Sequence, residues 1–242
     1  MAVFYNAKDG EIEYCDRKLL LYGNGPHTRV IYGYLHELSI FSGFIVDDHV
    51  VHNQAAIGDF LVTPLSRAIT EFPPDKYAVI VALGFRDFNN LRKDRSQVLK
   101  SLGYRIASFV DKSVRLPRSY SISENCIIID HVSLNDGVSI EDGAFVSSGA
   151  MLGHDSLIKS FSWIGSGAAL AGGVTVGESS ILGLNCSIKQ NTNLGHHSLV
   201  FPNTFVNADT APYNVIASEA GRRLPYDSRR MMKFAFINSG MN

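Results

Sequence analysis

Two groups of residues in this chain have types and spacings that could do chemistry. The first is His154-Asp155, with His196-His197 as a second adjacent pair. An imidazole of ordinary pKa, about 6.5, is largely neutral near pH 7 and can take a proton from an attacking amine or hydroxyl. A carboxylate beside it fixes its tautomer and strengthens it as a base. The second group is Gly23-Asn24-Gly25-Pro26-His27, followed by Asp47-Asp48. A Gly-rich turn that opens a helix offers backbone N–H groups to phosphates. Acidic residues ending the next strand can accept hydrogen bonds from a ribose or a base. Each group also has a plain structural reading: a corner histidine facing solvent, and a tight turn with two capping aspartates.

The elements that must position these residues come from two kinds of pattern. From Leu116, every sixth residue to Val206 is Leu, Ile or Val, sixteen positions in all. Four residues after each, from Ala144 to Thr204, the side chain is nearly always small. Gly directly follows the aliphatic residue at 153, 165, 177, 183 and 195, and is expected to relieve corner strain. A six-residue period fits neither a helix nor a two-residue sandwich strand. It predicts a parallel β-helix over 111–224, in which three hexads, eighteen residues, close one coil. His154 then has Gly172 at the same corner one coil above, roughly 4.8 Å away. A side-chain-free residue there could offer its N–H to the carbonyl oxygen of a tetrahedral intermediate in acyl transfer.

Residues 18–110 read as alternating strands and helices: strands at 18–22, 44–46 and 77–83, helices near 27–41 and 88–102. Gly84 closes the third strand. This predicts a small parallel α/β unit within residues 1–110, with 225–242 as a tail rich in Arg and Met.

Composition narrows the classes. The 242 residues carry 22 Lys+Arg against 23 Asp+Glu, so bulk charge gives no nucleic-acid affinity. With 45% hydrophobic and 19% charged residues, disorder is excluded. No apolar run approaches the roughly 20 residues of a membrane span, and the first residues lack the pattern of a secretory signal. Cys15, Cys126 and Cys186 read as free thiols, and a cytoplasmic location is expected.

A strand, a Gly-rich turn with His27, paired aspartates and then a hexapeptide β-helix together resemble the sialic acid O-acetyltransferase and nucleotide-sugar N-acetyltransferase family. The stretch Ala150-Met151-Leu152-Gly153-His154-Asp155 matches that family's catalytic turn, and GSGAALAGGVTVGESSILGLN continues it. The resemblance implies a Rossmann-like domain followed by a left-handed β-helix, associating as a homotrimer. It implies acetyl-CoA as co-substrate, no metal, and a nucleotide-linked amino sugar as acceptor. It gives His154 the role of general base, Asp155 that of its orienting carboxylate, and Gly172 that of carbonyl donor. It maps sugar-nucleotide contacts onto Gly23, Asn24, Gly25, His27, Asp47, Asp48 and Gly84, and coenzyme contacts onto Gly172, Arg222 and Arg223. Trp163 stands where the family often has a second histidine. Other classes compete: an O-acetyltransferase, a zinc carbonic anhydrase on the same β-helix, and a non-catalytic scaffold. The zinc reading needs a second histidine five residues after the first, and Lys159 stands there.

Overall fold

The computed structural model describes residues 2–51 and 56–219, together with 221 and 228. Arg222, Arg223 and, but for residue 228, the 225–242 tail lie outside the described residues.

The six-residue period becomes a three-sided prism. Strands two or three residues long pair in parallel with those eighteen residues on, as Leu152 with Leu170 and Ile164 with Leu182. Face I carries Tyr120–Ile122, Val138–Ile140, Leu157–Ile158, Thr175–Val176 and Asn193–Leu194. Face II carries Ser108–Val110, Ile127–Ile128, Phe145–Val146, Trp163–Ile164, Ile181–Leu182 and Leu199–Val200. Face III carries Ser133–Leu134, Met151–Leu152, Ala169–Leu170, Ser187–Ile188 and Phe205–Val206. The aliphatic residues fill the axis with the small corner residues, from Val110 to Val206. The repeat therefore begins one hexad earlier than Leu116.

The glycines that follow the aliphatic positions act differently from expectation. Their φ angles are not left-handed. A Cβ on Gly153 would instead lie 2.5 Å from the backbone of Ala171, and one on Gly195 2.5 Å from that of Ala211. They are needed because adjacent coils touch there. The left-handed residue is the third after each aliphatic one, from Asn125 to Asn203, and most of these are Gly or Asn. That choice matches the residues that best tolerate positive φ. Asp155 and His197 occupy this position.

The α/β unit has five parallel strands in the order β6 (Phe60–Pro64), β4 (Phe41–Val46), β3 (Lys18–Tyr22), β7 (Tyr77–Val81) and β8 (Arg105–Ile106). A short β5 (Ala56–Ile57) pairs antiparallel with β6. Both sides of this sheet are covered, which explains why its central strands are mostly apolar. Leu20, Ile45 and Val79 pack toward α2 (Leu65–Glu71) and α3 (Asn90–Ser101). Leu19, Leu21 and Phe44 pack toward α1 (Pro26–Leu35) and face II of the prism. The outward residues of face II, Phe109, Ile127, Phe145 and Trp163, belong to the same core. Residues 2–14 depart from the expected first unit. They form a hairpin, β1 (Ala2–Lys8) with β2 (Glu11–Tyr14), and β1 bridges the lowest strands of faces I and II in antiparallel register.

Candidate active site

The turn after Met151–Leu152 holds His154 and Asp155 on the edge between faces III and I. His154 Nδ1 lies 2.9 Å from Asp155 Oδ2; in the neutral ring that pairing places the proton on Nδ1 and leaves Nε2 as an acceptor. Asp155 reaches that position from a left-handed backbone, φ 57°. Nε2 points at Gly172: a Cβ there would lie 2.2 Å from it. The Gly172 N–H has no acceptor among the described residues, whereas the neighbouring Gly173 N–H bonds the His154 carbonyl at 2.7 Å. Imidazole, carboxylate and free amide are thus within one coil spacing, as the eighteen-residue step predicts. A fourth member escaped the sequence reading. Gly137, one coil below Asp155, leaves room for its carboxylate, since a Cβ there would lie 2.2 Å from Oδ1. Subtracting eighteen from 155 finds it.

The second group gathers at the carboxyl ends of β3, β4 and β7, where neighbouring strands connect in opposite directions from β3. This is the crevice in which open α/β sheets take ligands. A cavity of about 670 Å³ is lined by Gly23, Asn24, Gly25, His27, Asp47 and Gly84, with Phe85, Arg86 and Leu91 completing the wall. Gly23 has φ +127°, and a Cβ there would lie 2.5 Å from the Thr28 hydroxyl, which itself donates to the Ala82 carbonyl. Gly84 packs against His27, leaving 2.7 Å between a Cβ and Nδ1. Gly25 caps α1 and lines the cavity, with nothing within 4 Å of a Cβ. Asp47 is half-buried and ion-paired with Arg95 on α3 at 2.9 Å. Burial, and then the positive charge of Arg92, hold the His27 imidazole below its ordinary pKa.

Asp48 does not join this group. Its carboxylate turns away and accepts from the Ser66 N–H at 2.9 Å, in the first turn of α2. That bond holds its carboxyl below the usual carboxylate range. It is a helix-capping residue that shares a shallower depression beside α2 with Asp47 but does not line the cavity of the Gly23–His27 turn.

The two groups are far apart within one chain. The α/β unit sits on face II and grips both of its edges, through Tyr34 to Asp130, Asn89 to the Phe161 carbonyl and Lys93 to Glu178. His154 sits on the third edge, opposite face II. The His196-His197 pair lies on an edge of face II instead, its Nδ1 atoms 3.0 Å apart, with His197 against Phe88 and Tyr213. Trp163 stacks on Phe145 at 3.9 Å and meets His27 and Phe85 edge-on. It joins the two units from beneath the cavity. Stepping by eighteen from Phe109 reveals this docking face as Phe, Ile, Phe, Trp, Ile and Leu.

Cys15, Cys126 and Cys186 are free; burial pushes the Cys126 and Cys186 thiols up to about 12 and about 11, as suits packed side chains. No group of three His, Cys, Asp or Glu placed to hold a metal ion occurs among the described residues, and no described helix is long and apolar enough to cross a membrane.

No family model matches the chain. Among solved structures it is similar to the acetyltransferase domain of PglB from Neisseria gonorrhoeae FA1090, at 22% identity over 86% of this chain and 100% of that one, TM-score 0.75. It is similar to PerB from Caulobacter crescentus in complex with CoA and GDP-perosamine, at 23% identity over 84% and 95%, TM-score 0.67. It is also similar to WeeI from Acinetobacter baumannii AYE, at 16% identity over 85% and 99%, TM-score 0.75. At these identities the likeness is one of fold.

Proposed function

We propose that this protein transfers an acetyl group from acetyl-CoA to the amine of a nucleotide-linked amino sugar, with His154 as general base. The observation that carries the reading is the His154 Nε2 lying against Gly172, whose N–H has no acceptor among the described residues, on a fold shared with acetyltransferases solved with acetyl coenzyme A or with CoA and GDP-perosamine. In this reading the α/β unit is a Rossmann-like domain that holds the nucleotide at the Gly23–His27 turn, and the prism is a left-handed β-helix that holds the coenzyme. Arg222 and Arg223, outside the described residues, contribute to coenzyme binding, and the protein works in the cytoplasm.

The chemistry follows from the atoms available. The amine lone pair attacks the thioester carbonyl, forming the C–N bond. The Gly172 N–H donates to the oxygen as it gains negative charge. Nε2 takes the proton leaving the nitrogen, and Asp155 stabilises the imidazolium through Nδ1. Collapse of the intermediate breaks the C–S bond, and the same proton passes to the departing thiolate. No covalent acyl-enzyme is required.

Cavity and base cannot meet within one chain, since they occupy opposite sides of the prism. A homotrimer about an axis parallel to the prism resolves this, with His154 of one protomer serving the cavity of its neighbour. Exposed Met151 and Phe205 on face III, with Leu184 and Phe201 beside them, give this association an apolar surface.

The test is incubation with acetyl-CoA and a panel of UDP-, dTDP- and GDP-linked amino sugars, followed by release of free thiol. Acetylation of none of them overturns the reading. Mixing His154→Ala with Asp47→Ala protein tests sharing: at limiting sugar nucleotide, mixed assemblies should exceed the summed activity of the two variants assayed apart.

A further inference from the structure

Arg92 is unlike any other charged residue in the described structure. It lies on α3, directly after Leu91, which lines the cavity. It has no exposed surface, and none of its three guanidinium nitrogens has a hydrogen-bond partner. Its guanidinium sits 5.9 Å from the centre of the Trp163 ring. The His27 ring lies 5.0 Å from that same centre, on the cavity side. Three residues before Arg92, the Asn89 side-chain Oδ1 is also buried without a partner.

A buried charge without a counter-ion is costly, and proteins ordinarily pair it or replace it. Burial pulls the Arg92 pKa down to about 10, which leaves it cationic at neutral pH. Its charge is felt at His27, one of the residues facing the cavity. In a water-poor interior such a field decays slowly. It is therefore an uncompensated positive potential behind the floor of a cavity whose mouth is a helix N-terminus.

We propose that Arg92 is a specificity-determining residue of this cavity, favouring ligands that bring an anionic diphosphate to the Gly23–His27 turn over the corresponding uncharged nucleoside. The inference rests on the nucleotide reading given above and deepens it. Arg92 does not touch the ligand. It raises the affinity of the site for charge, and it suffers in the empty protein a penalty that the bound anion relieves.

The experiment is calorimetric titration of UDP, GDP and dTDP, and of uridine, guanosine and thymidine, into the wild type, Arg92→Met and Arg92→Gln. The wild type should bind one diphosphate well ahead of its nucleoside. Both variants should lose about tenfold or more of that preference, through weaker diphosphate binding with nucleoside affinity unchanged. The empty Arg92→Met protein should melt no lower than the wild type, because an apolar side chain replaces an unpaired charge. Its stabilisation by diphosphate should shrink. If either folded variant keeps the wild-type preference, Arg92 does not set it and the proposal fails. If the wild type binds none of the diphosphates at millimolar concentration, the nucleotide reading itself falls, and Arg92 with it.

Discussion

The His154 edge and the α/β cavity place chemistry by different means. On the prism, position in sequence converts directly into position in space. Each coil returns eighteen residues later, so Gly137 lies below Asp155 and Gly172 beside His154. In the α/β unit, Gly23, Asp47 and Gly84 meet only because three strands run side by side. A repeat therefore tolerates little change in its backbone and allows its corner side chains to vary. An open sheet fixes its strands and leaves its loops to choose which residues face the ligand. Asp47 and Asp48 illustrate the second case: adjacent in the chain, one lines the cavity and the other caps a helix.

The largest effect should come from the edge. His154→Ala should lower turnover at saturating substrates by roughly 10²–10⁴-fold, with coenzyme binding retained in an equilibrium measurement. Asp155→Asn should cost less, because the imidazole remains. Near-wild-type turnover in His154→Ala across the pH range would move the base elsewhere, beginning with His196-His197.

Two glycines sharpen the comparison within the prism. Gly172→Ala puts a methyl into the imidazole, which can rotate away, so turnover should fall about 10²-fold with the melting temperature nearly unchanged. Gly153→Ala puts one into the backbone of the next coil, which cannot yield. It should destabilise by about 1–3 kcal/mol, read from denaturant unfolding. Equal thermal losses in the two variants would erase the distinction between a functional and a packing glycine.

In the α/β unit, Asp47→Ala should raise KM for the sugar nucleotide about tenfold with kcat little changed, as the loss of a charged hydrogen bond to ligand does. Asp48→Ala should leave KM alone and lower only the melting temperature, through the lost bond to Ser66. A matching rise in KM for both would return Asp48 to the cavity.

The smallest effect concerns pH. His27 has a lowered pKa in the folded protein, first from burial and then from Arg92. Below the ordinary His value, about 6.5, the unfolded chain then binds more protons than the folded one. Stability should therefore fall as pH drops from about 6.5 toward the lowered value. His27→Gln should flatten part of that decline. His197, lowered by burial and by His196, should account for a remaining part in the same direction. A thermal unfolding series unchanged by His27→Gln would show that the ring is not held neutral.

The six-residue period by itself determined the prism, its eighteen-residue coil and the meeting of His154 with Gly172, because in a repeat the distance between residues follows from counting. The alternation of strands and helices was enough to expect the α/β unit and most of its cavity residues. Counting further would have found the left-handed third position and the apolar docking face, both periodic. Tertiary structure alone decided the rest. Nothing local tells Asp48 from Asp47, since the choice depends on where α2 ends up beside β4. The hairpin at residues 2–14 gives no sign in its own pattern that it will bridge two faces of a prism whose nearest strands lie about a hundred residues away. The burial of Arg92 follows from docking, because α3 is an ordinary amphipathic, charged helix until face II closes over it. The opposition of the cavity and His154 likewise depends on which face the α/β unit covers, and that follows from the packing of Trp163 and Phe145, with His27 and Phe85 of the cavity wall meeting the Trp163 ring.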